Sequence, residues 1–248
     1  MAEAWYTFPA QMGEHRAFLT FDHGFSEIAE TDSRIFLLKF RVAIKAPNET
    51  GLPTNDEFPA LKDLDERLDN AITNAGGVYV GRVTVKGYRH FFFYVSFDEE
   101  SASQLGNKIT SETGYPLDIA YEQDPGKEGY WRDLYPTKDD WQVIRDMDVL
   151  NALESRGDIA DTEREVFHWA YFDGQGTAEI FKNWLAEAGY KINSDHSADD
   201  GKWVVQFSHI GKMTLEALTK HTISLNRKIE ALHGNYDGWE TSVESATV

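Results

Sequence analysis

The sequence predicts an α+β protein made of two tandem ferredoxin-like βαββαβ sandwiches, each an antiparallel sheet with helices on one face. Three observations predict it. The chain has 248 residues, room for two domains at roughly 100–200 residues each. Strand and helix patterns succeed one another as β-α-β-β-α-β twice, once from Ile35 and again from Val166. The split βαβ topology is a known way to lay two helices over one face of such a sheet, leaving the other face open.

The elements follow in order. Residues 5–8 and 17–21 are short runs rich in aromatic residues and read as an opening hairpin. Residues 35–44 form a longer strand. Pro47, Asn48, Gly51 and Pro53 mark a loop. A helix over 56–75 carries Phe58, Leu61, Leu64, Leu68 and Ile72 at spacings of three and four, and Gly76-Gly77 stops it. Two strands flank Gly87, over 78–86 and 90–97. A second helix covers 99–113, and a strand over 117–122 closes the unit. The polar, turn-forming run 123–129 reads as a linker. Pro136 and the capping pair Thr137/Asp140 open a helix that ends near Gly157. The second copy then runs through a strand at 166–172, a helix at 177–188 and strands at 190–193 and 203–209. A long helix at 213–232 and a last strand at 236–243 complete it. The expected domains are therefore 1–137 and 138–248.

Charge and composition limit the function. The net charge is −18, and hydrophobic residues make up 41% of the chain, so it is not a disordered acidic tail. Residues 1–137 hold 13 bases and 22 acids; residues 138–248 hold 11 and 20, so each half carries −9. Such a surface repels nucleic acid and favours basic partners. With no Cys, thiol chemistry and disulfides are excluded. The start, Met1-Ala2-Glu3-Ala4-Trp5, has no leader pattern, and no apolar run could span a bilayer, so a cytoplasmic protein is expected.

Catalytic motifs are missing. Gly174-Gln175-Gly176 lacks the third glycine of a phosphate loop. The loop 195–200 reads as a solvated turn, and the eight His look scattered. No cofactor, metal or catalytic residue is expected, and the chain reads as a non-enzyme. Two surfaces stand out. On the strand after residue 165, Phe167, Trp169 and Tyr171 alternate with Val166, His168, Ala170 and Phe172, so one set faces the open side. In the first half, Arg82 and Arg89, with Tyr94, form a local basic feature that could line a small-ligand site.

Particular stretches carry a resemblance. Residues 149–154, His168-Trp169-Ala170-Tyr171-Phe172 and Tyr236-Asp237-Gly238-Trp239-Glu240-Thr241 make residues 146–243 resemble RraB, the regulator of ribonuclease E activity B. Residues 51–55, 79–84, 89–94 and 121–125 make the first half resemble the domain-of-unknown-function 695 family, with 131–137 similar to the usual junction. Proteins with this pair are known in bacteria. The resemblance implies non-catalytic regulation, in which an acidic protein docks on the Arg-rich scaffold region of ribonuclease E. Attraction at long range would then raise the encounter rate and weaken with salt. Here a whole domain is fused in front of the regulator.

The expectation is thus an acidic regulator that docks through Trp169, Tyr171, Tyr236, Asp237, Trp239 and Glu240 on ribonuclease E or another basic protein. Tyr236 and Trp239 could equally anchor the last strand. Two alternatives stay open: a ligand or enzyme site around Arg82, Arg89 and Tyr94, and a homodimer through the open sheet faces.

Overall fold

A computed structural model describes residues 4–245. Met1–Glu3, which entered the leader reading, lie outside the described residues. The chain divides into two compact units, residues 1–137 and 138–248.

The first unit opens with a hairpin, β1 (Trp5–Met12) and β2 (His15–Asp22), followed by a 3-10 turn at His23–Glu27. Then come β3 (Phe36–Ala43), α1 (Phe58–Asn74), β4 (Val78–Val85), β5 (Tyr88–Val95), α2 (Glu99–Thr113), β6 (Asp118–Gln123) and a short α3 (Glu128–Asp133). The sheet order is β1-β2-β4-β5-β3-β6, antiparallel throughout. Its last four members are the expected ferredoxin-like sheet. The hairpin joins as two further strands on β4, which would otherwise be a bare edge with unpaired backbone groups.

The apolar stripe of α1 buries Leu61, Leu64, Leu68 and Ile72 against Leu38, Phe40, Phe91 and Phe93 of the sheet. The Asp98 carboxylate caps α2 by accepting the Ser101 N–H at 2.9 Å. Gly114, in a left-handed conformation, ends it.

The run 123–129, expected to be a linker, is built into this unit. Asp124 accepts the backbone N–H groups of Glu128 and Gly129, both at 2.8 Å, and the Tyr94 hydroxyl at 2.6 Å. Burial pushes its carboxyl up, but these donors outweigh burial and hold it below the usual range. Lys127 is 1% exposed. Its ammonium donates to the carbonyls of Asp32 and Arg34 and lies 4.7 Å above the Tyr94 ring. Phe25 stacks on Tyr94, with Tyr130 edge-on to Phe25, and both are buried. The 3-10 turn and α3 thus cover part of the face opposite the two long helices. A turn-forming composition does not mark exposure when its polar groups are consumed inside.

The second unit runs through α4 (Lys138–Glu154), β7 (Arg164–Phe172), α5 (Gln175–Glu187) and β8 (Lys191–Ser197). β9 (Trp203–Gly211), α6 (Leu215–Ala231) and β10 (Asn235–Thr241) complete it. The order β10-β7-β9-β8, all antiparallel, is the same topology again. Its core joins Ala170, Phe172, Phe181, Leu185, Phe207, Leu225 and Ile229. A second cluster, Leu153, Val166, Met213 and Leu218, forms where the extra helix α4 packs beside α6. Among the described residues, no helix is long and apolar enough to cross a membrane.

Candidate functional site

Strand alternation sorts the side chains of β7. Arg164, Val166, His168, Ala170 and Phe172 are buried on the helix side. Glu165, Phe167, Trp169 and Tyr171 take the helix-free face, all half-buried. Across the ladder, that face continues through Val204, Gln206, Ser208 and Ile210 of β9, the last 65% exposed.

Strand β10 breaks the alternation. Its register against β7 shifts between Tyr236 and Gly238, so Asp237 is the extra residue of a bulge. Gly238 sits at φ +126°, a conformation that L side chains rarely adopt. Because of the bulge, Tyr236 and Trp239, three apart in sequence, lie opposite Ala170 and His168 and both turn to the helix side. Glu240 falls opposite Phe167 on the helix-free face.

The six residues expected at the docking surface therefore divide. Trp169, Tyr171 and Glu240 share the helix-free face, and Asp237 stands at its bulge. Together with Gly238 and Trp239 they line a shallow depression of about 310 Å³. Among the described residues, neither Asp237 nor Glu240 makes an ion pair there. Trp239 also anchors the strand, since its indole N–H donates to Asp146 Oδ1 at 2.9 Å. Tyr236 turns inward, and its hydroxyl bonds His168 Nδ1 at 2.8 Å. Nearby, Ser208 donates to Glu165 at 2.7 Å and Lys191 pairs with Glu165 at 3.2 Å. These bonds hold the Glu165 carboxyl below its usual range.

Beneath this face lies a polar interior not foreseen from sequence. Asp146 is fully buried and accepts from Thr222 Oγ1 at 2.5 Å, Trp239 at 2.9 Å and Gln142 at 2.9 Å, tying α4, α6 and β10 together. Burial raises its pKa in spite of the three donors. Three of the seemingly scattered histidines meet. His168 Nε2 lies 2.9 Å from His209 Nδ1, and His209 stacks on His221 at 3.9 Å. Tyr190 bonds His221 Nδ1 at 2.7 Å. Burial pushes His168 down to about 2 and His209 to about 4, so both are neutral. Pairwise sequence spacing held no trace of this group, because neighbouring strands and a helix supply its members. Among the described residues no group of three His, Asp or Glu is set to hold a metal ion.

In the first unit, Arg82 and Arg89 come together and Tyr94 does not. Both arginines point to the helix side, from β4 and β5, and line a hollow of about 410 Å³. Tyr94 lies on the opposite face, its hydroxyl donating to Asp124 and accepting the Tyr130 N–H at 3.2 Å. Sequence reading missed the rest of the lining. Thr7, Phe18, Thr20 and Thr84 come from strands, and Asn48, Leu52, Pro53 and Phe58 come from the wall before and at the start of α1.

Comparison with known proteins agrees with the two units. Residues 144–241 match the family model described as regulator of ribonuclease activity B, RraB. Residues 3–135 match a family of unknown function, DUF695. No curated protein matches the chain. One solved structure, of a protein proposed to be a glycine cleavage system transcriptional repressor, aligns at 9% identity and a TM-score of 0.25. That alignment covers 84% of this chain and 98% of the other.

Proposed function

The chain belongs to the DUF695 family through its first unit, and from the RraB match of its second unit we propose that it is a non-catalytic regulator of ribonuclease activity. It acts in the bacterial cytoplasm by docking on a basic, Arg-bearing segment of ribonuclease E.

One observation carries the docking mode: the depression that sets Trp169 and Tyr171 beside the unpaired carboxylates of Asp237 and Glu240. A guanidinium stacks on aromatic faces and takes carboxylates in a fork, so aromatic rings beside free acids suit an arginine. The net charge of −9 on this unit draws such a segment in from a distance. RNA is a poorer occupant. Bases could stack on Trp169 and Tyr171, but the phosphates would meet two free acids, and Lys191 is already paired. A second copy would have to bring one face bearing free acids against another protein of net charge −18.

Capture of purified ribonuclease E on the immobilised full chain tests this. Retention at low salt that falls as salt rises, and is lost in the Asp237→Lys/Glu240→Lys double variant, is the expected result. An enzyme that passes through unretained at low salt, or binds the double variant equally, would overturn the reading.

A further inference from the structure

We propose that the hollow over β1, β2 and β4 of the first unit binds a small organic monocarboxylate. Arg89 and the Thr84 hydroxyl beside it would hold the acid group, and the apolar part would lie between Phe18 and Phe58.

The hollow exists because the hairpin widens the sheet beyond the two long helices. Its floor is helix-side strand surface that no helix covers, and the chain leading into α1 walls it. Its volume, about 410 Å³, falls within the range of small-molecule sites. Arg89 is only 5% exposed, yet its one hydrogen bond is from Nε to Thr84 Oγ1, at 3.1 Å. The terminal nitrogens of its guanidinium have no partner among the described residues, and Arg89 makes no ion pair. Burial first, and the Arg82 charge second, lower its pKa against the attraction of Asp65, Tyr79 and Glu57. Such a group is costly to bury unless something completes it.

The neighbouring charges are already committed. Arg82 is paired with Asp65. Glu57 accepts the backbone N–H groups of Lys45 at 2.7 Å and Ala46 at 2.6 Å, and the Tyr115 hydroxyl at 2.9 Å. Asp65 and Glu57 attract the Arg89 guanidinium from nearby, but among the described residues neither bonds it, which leaves its terminal nitrogens open to a ligand of one negative charge. A carboxylate matches its fork and its charge, whereas a phosphate dianion would bring a second charge into a chain of net −18. Farther along the floor, in the row of Arg82, Thr7 and Thr20 pair their hydroxyls at 2.9 Å. At the rim, Phe18 and Phe58 stand 41% and 53% exposed, an apolar wall for the rest of the ligand.

Calorimetric titration of the full chain with phenylacetate, phenyl phosphate and 2-phenylethanol tests the proposal, alongside Arg89→Met and Phe58→Ala. Phenylacetate should bind saturably, and the uncharged alcohol at least about tenfold more weakly, as the loss of a charge-assisted bond implies. Arg89→Met should lose phenylacetate by about 10- to 100-fold while still unfolding cooperatively, because it removes one hydrogen bond and no ion pair. Phe58→Ala, at an exposed position, should keep the fold and bind several-fold more weakly. Absence of saturable phenylacetate binding, or equal binding by both variants, would overturn the site. Tighter binding of phenyl phosphate would overturn the monocarboxylate assignment, and an unfolded Arg89→Met would make Arg89 a structural residue instead. None of these outcomes depends on ribonuclease E.

Discussion

Asp146 shows how one side chain holds the second unit's surface in place. It gathers a threonine hydroxyl, an amide and the Trp239 indole from three elements, and among the described residues it makes no ion pair, although the Arg145 charge attracts it. Asp146→Ala strands the Gln142 amide and the Trp239 indole, while Thr222 keeps the Leu218 carbonyl, and at about 1–3 kcal/mol per orphaned buried group the unit should lose at least about 2 kcal/mol. Asp146→Asn, which still offers one acceptor oxygen, should lose less. Urea unfolding of the two variants checks the order. Sequence reading left Trp239 between docking and anchoring. The residue that settles its indole lies 93 positions away, beyond any local pattern.

The buried histidines make stability depend on pH. His168 and His209 are held near 2 and 4, against 6.5 for an unstructured histidine, by burial first and by neighbouring histidines second. The unfolded chain therefore binds more protons below 6.5. The stability these rings confer is complete above pH 6.5 and drains away as pH falls toward 4, at about 1.4 kcal/mol per pH unit for each proton taken up. Asp146, raised by burial, works in the opposite sense in the range above its ordinary 3.8. Urea midpoints for the second unit should fall steadily from pH 7 to pH 4.5. His168→Phe should flatten the slope, and a slope unchanged by that variant would contradict the assignment.

At the scale of elements, the alternating strands and the amphipathic helices were legible because each buries one face of a regular period. Residues Leu61, Leu64, Leu68 and Ile72 announced α1, and they are buried as their spacing requires. Irregularities were not legible. The bulge at Asp237 turns Tyr236 and Trp239 to the same side, which strict alternation forbids. Another irregularity shapes β4, where the ladder to β5 shifts between Tyr79 and Gly81. Gly81 has φ +153°, and a Cβ there would meet the Thr20 carbonyl oxygen at 2.4 Å. Gly81→Ala must push β2 away from β4, so it should destabilise the first unit by more than about 2 kcal/mol. Gly13→Ala, in the open β1–β2 turn at φ +62° with nothing near its Cβ, should cost only its backbone strain. Comparing the two melting temperatures separates collision from strain. The run 123–129 failed as a linker for a related reason: Asp124 and Lys127 are polar in sequence but spend their bonds inward.

For the molecule as a whole, the repeated βαββαβ order came through because two complete cycles of pattern fit one topology. Attachment of the hairpin to β4, and with it the hollow around Arg89, did not. It depends on which strand edge a distant segment pairs with, and alternation is silent on that choice. The charge of −18 is divided evenly between the units, so it belongs to folded surfaces rather than to a tail. On the second unit it frames two aromatic rings and two unpaired acids, and a regulator that seeks an arginine-bearing partner needs that combination. The most direct test is the rate of RNA cleavage by ribonuclease E as the full chain is titrated in at low salt. The account predicts a saturable fall in rate, shifted to at least about tenfold higher concentration by Asp237→Lys/Glu240→Lys, in line with the loss of charge-assisted contacts. A cleavage rate that stays constant across the titration, or that falls equally with the double variant, would contradict it.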